Sequence, residues 1–130
     1  MGNRAVIAFN TCNQNSIGIY LHWNGGRDSV EGFIMAAREL SSGGVQSNQA
    51  RLIQAIGTFF EGGLSVYVDH VKNLDCDNYD NGVYIVDMAK LEITGRKHNR
   101  QREQDHHNPQ EIADCIISKV NAAYKLECET

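Results

Sequence analysis

Three polar segments of this 130-residue chain carry side chains that can do chemistry, and each falls beside the end of an expected element. Residues 24–29 (NGGRDS) join an expected strand to an expected helix. Gly25 and Gly26 admit a ligand to the backbone, N–H groups at a helix start attract anions, and Arg27 can grip a phosphate with two hydrogen bonds. Asn24 and Asp28 flank that group. The segment is neither a Walker A loop nor a GxGxxG fingerprint, and a tight turn closed by a helix cap reads it equally well. An ionised Asp28 cap would occupy the N–H groups and repel phosphate.

The second segment, residues 75–82 (DCDNYDNG), is acidic enough to suggest calcium. With Gly82 at the sixth position of a calcium loop, Asp77, Tyr79 and Asn81 take positions 1, 3 and 5, but Met88 stands where a bidentate Glu is required. A turn-rich loop is the plain reading. Ligand recognition is the other, because Asn amides both donate and accept. The third segment is basic: Arg96, Lys97, Arg100 and Arg102 with His98, His106 and His107. It reads as a solvated charged loop or as a lid over an anion. The adjacent His106 and His107 lack the i,i+4 spacing that sets two metal ligands on one helix face. Arg51 stands one residue before the apolar face of an expected helix.

Catalytic chemistry is not marked out. Ser29 and Cys12 have no recognisable activating context, and His22 and His70 fall on expected strands. No carboxylate pair stands out by spacing. Four cysteines at 12, 76, 115 and 128 form no CxxC pair, so the expectation is free thiols, no metal and no cofactor.

The elements that must position these residues follow from periodicity. Residues 4–9 form an apolar run, and residues 17–23 alternate, with Ile17, Ile19, Leu21 and Trp23 on one face. Asp28 opens a helix with Glu31 at capping-box spacing, and Val30, Phe33, Ile34, Ala37 and Leu40 make its stripe. A second helix is expected from Ser47 to Glu61, burying Leu52, Ile53, Ile56, Phe59 and Phe60. Strands are expected over 64–71, 83–87 and 91–94, a mobile loop over 96–107, and a last helix capped by Asn108 with Pro109 at its first position. The order ββ-αα-βββ-α predicts an α+β fold: one mainly antiparallel sheet of about five short strands with three helices on one face, as one domain over 1–130.

Composition bounds the function classes. Hydrophobic residues are 42% and charged residues 22%, which is a folded composition. Twelve basic against sixteen acidic residues give net −4, against a duplex-DNA binder. No apolar run reaches the ~20 residues of a membrane span, and the first residues lack the pattern of a secretory signal. Gly2 begins a myristoylation pattern that Val6 breaks. Exposed strand edges in so small a domain invite self-association.

Four blocks together resemble a family: residues 20–30 (YLHWNGGRDSV), 50–56 (ARLIQAI) with Phe59 and Phe60, 80–84 (DNGVY), and 93–96 (ITGR). They are similar to the short bacteriophage proteins of the anti-Thoeris sponge family. The resemblance spans residues 1 to about 96. It implies a non-enzymatic protein that sequesters cyclic ADP-ribose signals made by bacterial TIR-domain enzymes, and it implies the cytoplasm of the infected host. It also implies a homo-oligomer, a dimer or a hexamer, with pockets between subunits. Some members bind cyclic oligonucleotides at separate sites. The positions it favours for the ligand are Asn24, Gly25, Gly26, Arg27, Asp28, Arg51, Asn81, Tyr84 and Arg96. The rival readings are an enzyme that cleaves such a nucleotide and a phage protein that binds a host protein.

Overall fold

The computed structural model describes residues 2–100 and 106–129. Five strands, β1 (Ala5–Phe9), β2 (Ile17–Leu21), β3 (Val66–His70), β4 (Val83–Asp87) and β5 (Glu92–Lys97), form one sheet. Helices α1 (Arg27–Leu40) and α2 (Val45–Phe59) lie between β2 and β3, a short 3-10 turn (Val71–Asn73) follows β3, and α3 (Pro109–Glu129) comes last. The fold is therefore α+β, with three helices and five strands.

The sheet is mixed rather than wholly antiparallel, with order β3-β2-β1-β4-β5. β1 pairs with β4 in parallel, Val6 opposite Val83, while the other three pairings are antiparallel. The sheet is mainly antiparallel as expected, and the β1–β4 pair is the departure. Its physical reason lies in β1 itself, whose five residues are all apolar and all buried. A strand with no polar face needs a neighbour on each side and cover on both faces. The β4–β5 hairpin supplies the second neighbour.

Ala5, Ile7 and Phe9 of β1, Ile19 and Leu21 of β2, and Tyr84 and Val86 of β4 face the helices. The α1 stripe Val30, Phe33, Ile34 and Ala37 packs on them, joined by Leu52, Ala55 and Ile56 of α2 and Ile112, Ala113 and Ile116 of α3. Each large side chain fully buried here contributes about 1.5–3 kcal/mol. Val6, Ala8 and Val83 point to the other face, where Val71, Leu74 and Cys76 cover them.

Several expected boundaries shift. Trp23 and Ile17 are exposed rather than packed with Ile19 and Leu21, because β2 ends at Leu21 and its first residue lies at the sheet's rim. Ile53 is exposed, since the buried side of α2 runs through Asn48, Leu52, Ala55 and Ile56. β5 continues to Lys97, so Arg96 and Lys97 are strand residues, not loop. Arg102 lies outside the described residues. Asn108 caps α3 as expected, its Oδ1 accepting N–H bonds from Gln110 and Glu111 at 2.9 and 3.2 Å.

Gly32 sets how closely α3 approaches α1. A Cβ there would sit 2.7 Å from Ile112 Cγ2 and 2.9 Å from the Pro109 carbonyl oxygen. Gly57, in the last turn of α2, has nothing within 4 Å of the same position. Helix propensity alone favours Ala over Gly by about 1 kcal/mol. Overpacking costs about 1–3 kcal/mol. Urea denaturation is therefore expected to show Gly57→Ala stabilising the protein by up to about 1 kcal/mol and Gly32→Ala destabilising it by about 1–2 kcal/mol.

Candidate functional site

The strand directions and registers place the start of β1, the end of β2, the start of β4 and the end of β5 at one end of the sheet. Ala5 lies opposite Leu21, Val6 opposite Val83, and Val83 opposite Lys97. The turn into α1 leaves from the same end. Eight of the nine anticipated ligand residues consequently fall here, although they come from segments up to 72 positions apart, from Asn24 to Arg96. The exception is Arg51, on α2, which lines a separate cleft of about 360 Å³ with Leu40, Gln54, Val120 and Tyr124.

Within the eight, the structure separates side chains bonded inward from side chains facing water. Asn24 takes a left-handed conformation, φ 56°, and its amide donates to Ser29 Oγ at 3.2 Å. Gly25 N–H donates to the Asn3 carbonyl at 2.8 Å, and the Gly25 carbonyl accepts the Tyr84 hydroxyl at 2.7 Å. A Cβ on Gly25 would lie 2.5 Å from that Asn3 oxygen, so only glycine fits. Asn81 is buried, and its amide donates to Asn3 Oδ1 at 2.6 Å and to the Arg4 carbonyl at 3.0 Å. Arg96 lies with its guanidinium carbon 3.8 Å from the centre of the buried Tyr84 ring and donates to the Asn81 carbonyl at 2.8 Å. These contacts knit four strand ends and the turn together.

Asp28 is not the helix cap. Gly26 holds that position in extended conformation, with no side-chain cap. The Asp28 carboxylate lies inside the first turn instead, where Oδ1 accepts the Ser29 N–H at 2.7 Å. Its Oδ2 accepts the backbone N–H groups of His106 and His107 at 2.9 and 2.8 Å, strapping the chain before α3 onto α1. The expected capping box with Glu31 does not form, and Glu31 pairs with Arg27 at 3.5 Å.

Two side chains that flank the turn into α1 face water. Trp23 is 46% exposed, and the Arg27 side chain is 46% exposed. They bracket the Gly25–Gly26 turn. Sequence reasoning missed Trp23, because strict alternation placed it in the core. The signal was the glycine pair two residues later, which ends the strand before it.

The acidic loop is bound by arginines. Asp77 takes a two-pronged grip from Arg100, at 2.6 and 2.8 Å, and Asp80 takes both the side chain and the backbone N–H of Arg4, at 2.8 and 3.0 Å. Asn78 Oδ1 closes the turn by accepting N–H bonds from Asp80 and Gly82. The carboxylates of Asp77 and Asp80 are thus drawn to different arginines. Among the described residues no three His, Cys, Asp or Glu side chains converge as a metal group. Arg100, expected in a solvated loop, is part of this structure.

Burial opposes charge on Asp80, but the Arg4 side-chain and backbone hydrogen bonds outweigh it and hold the carboxyl below its usual range, with His22 adding a small pull in the same direction. Nearby, the Tyr20 hydroxyl meets His22 Nδ1 at 3.0 Å, and burial pushes that phenol up.

Two outcomes follow from this geometry. Arg96→Ala removes a stacked cation and a hydrogen bond to a buried carbonyl, so it should cost about 1–3 kcal/mol in denaturant titration. Arg27→Ala should cost little, because that side chain faces water. Asp80 has a depressed folded pKa, so its contribution is present above the unfolded value and lost as pH falls through the folded one. Stability measured below about pH 4 should therefore drop less steeply in Asp80→Asn than in the parent, while at neutral pH the variant is weaker by about 1–3 kcal/mol. Comparison of this chain with protein-family models, with curated proteins and with solved structures finds no match.

Proposed function

We propose that the sheet end carrying Trp23 and Arg27 captures an anionic, base-containing nucleotide and holds it without cleaving it. The ligand class is a cyclic ADP-ribose signal or a related cyclic nucleotide, and the setting is an infected bacterial cytoplasm. The observation that carries this reading is the pairing of an exposed indole with an exposed guanidinium across the Gly25–Gly26 turn at the start of α1. An indole face stacks on a base for about 1–3 kcal/mol without base specificity. Arginine supplies charge-assisted hydrogen bonds to phosphate. Tyr84, Asn81 and Arg96 then act as the support that holds the turn.

A homo-oligomer completes this reading. Tyr124 and Val120 of α3 leave apolar surface in the α2–α3 cleft, where Arg51 also lies. Packing that side against a neighbouring copy brings Arg51 to the neighbour's ligand. Sedimentation should show a dimer or a higher multiple burying more than ~1,000 Å² in total. Monomer alone at micromolar concentration would contradict it.

The rival enzymatic reading draws on the Tyr20–His22 hydrogen bond, an acid–base pair within reach of the same end. One assay separates the two. The protein is mixed with cyclic ADP-ribose isomers, denatured by heat, and the supernatant chromatographed. Intact nucleotide released on heating supports capture, altered nucleotide supports cleavage, and no retention overturns both. Calorimetry should show Arg27→Ala weakening nucleotide binding about 10- to 150-fold with the melting temperature held.

A further inference from the structure

The face of the sheet turned away from the helices carries a second, chemically different site. The β2–β3 register puts Tyr20 opposite Tyr67 and Gly18 opposite Asp69 on that face. Gly18 has no side chain, and Leu74 leans over it, its Cδ1 3.0 Å from where a Cβ would stand. Between the strands and the chain leaving the 3-10 turn a groove of about 380 Å³ remains, lined by Tyr20, Tyr67, Asp69, Asn73, Leu74 and Asp75 among others. That volume falls in the range of small-ligand sites.

Its lining has one electrical sign. Two aromatic rings, 6.0 Å apart and tilted by 32°, offer their electron-rich faces, and Tyr67 is 59% exposed. Asp69 accepts the Asn73 amide at 3.1 Å and the His70 N–H at 2.6 Å, bonds that hold its carboxyl below the usual range. Asp75 has only a loose contact with Arg4, 3.9 Å, beyond hydrogen-bond length. No Lys, Arg or His is among the lining residues. Aromatic faces beside carboxylates attract organic cations and repel phosphates.

We infer that this groove binds a small organic cation, an alkyl chain ending in ammonium or guanidinium, with the charged head over Tyr67 and against Asp69 and Asp75. The Leu74 wall takes the methylenes. The site lies on the opposite face from the Tyr84–Arg96 stack and takes the opposite charge, so it does not depend on the nucleotide reading.

The test uses agmatine, titrated into the intact protein by calorimetry and by the shifts of the tyrosine ring signals in NMR. Saturable binding at one site is expected. Tyr67→Ala and Asp69→Asn should each raise Kd about 3- to 30-fold. Asp114→Asn on the exposed face of α3 is the control and should leave Kd unchanged. Butylurea, which is neutral and similar in length, should not compete. Melting temperatures of the variants check that the exposed substitutions leave the fold intact. The inference is overturned by absence of saturable binding at millimolar agmatine, by equal Kd in all variants, or by competition from butylurea.

Discussion

No side chain of β1 reaches water, and most of the architecture answers that constraint. Ala5, Ile7 and Phe9 need the helices on one face, while Val6 and Ala8 need cover on the other. Both edges of the strand need hydrogen-bonding partners, since an unpaired buried N–H or carbonyl costs as much as a lost bond. β2 takes one edge by the shortest route, a hairpin. The other edge is filled from far along the chain by β4, and the direction of that pairing makes the sheet mixed. α1 and α2 connect β2 to β3, which pairs beside it antiparallel at the sheet's edge, and the chain then crosses from β3 to β4 on the other side of β1.

That topology also makes the sheet end at which the proposed site lies. Inserting β4 beside β1 in parallel sets both strand starts together, and the two hairpins return β2 and β5 to the same end. The backbone leaving four strands there presents many polar groups in little space. They are satisfied by a few donor side chains: Asn81 to Asn3 and Arg4, Tyr84 to Gly25, Arg96 to Asn81. Bonded in this way, these side chains order the backbone of the sheet end. Arg27 and Trp23, which close no internal gap, are left for external work.

The sequence is legible where one element decides its own form. The α1 stripe, the Asn108 cap and β4 were each readable, because periodicity of 3.6 or 2 and cap chemistry are local. The parallel pairing was not, since nothing within residues 83–87 says which strand they join. Asp28 shows the same limit at one residue: its spacing to Glu31 suits a cap, but the His106 and His107 N–H groups, 78 and 79 positions away, claim the carboxylate. Arg96 is expected in a charged loop, solvated or closing over an anion, and among the ligand positions. Its true role rests on Tyr84, which faces it across the β4–β5 pair. Arg4 and Asp80, 76 positions apart, offered no sequence signal at all.

The charge balance gains meaning from this arrangement. Net −4 argues against capture of an anion if charge is spread evenly. It is not spread evenly. Arg4 and Arg100 neutralise Asp80 and Asp77 at the sheet end, while Arg27 has its own carboxylate neighbour, Glu31, at 3.5 Å. Asp69 and Asp75 instead line the opposite face beside β3. At an ionic strength near 0.15 M the screening length is about 8 Å, which limits how far exposed charges on one face act on the other. The two proposed sites, an anion-attracting sheet end and a cation-attracting groove, are thus compatible in one small acidic protein, with Arg4 standing between Asp80 of the first and Asp75 of the second.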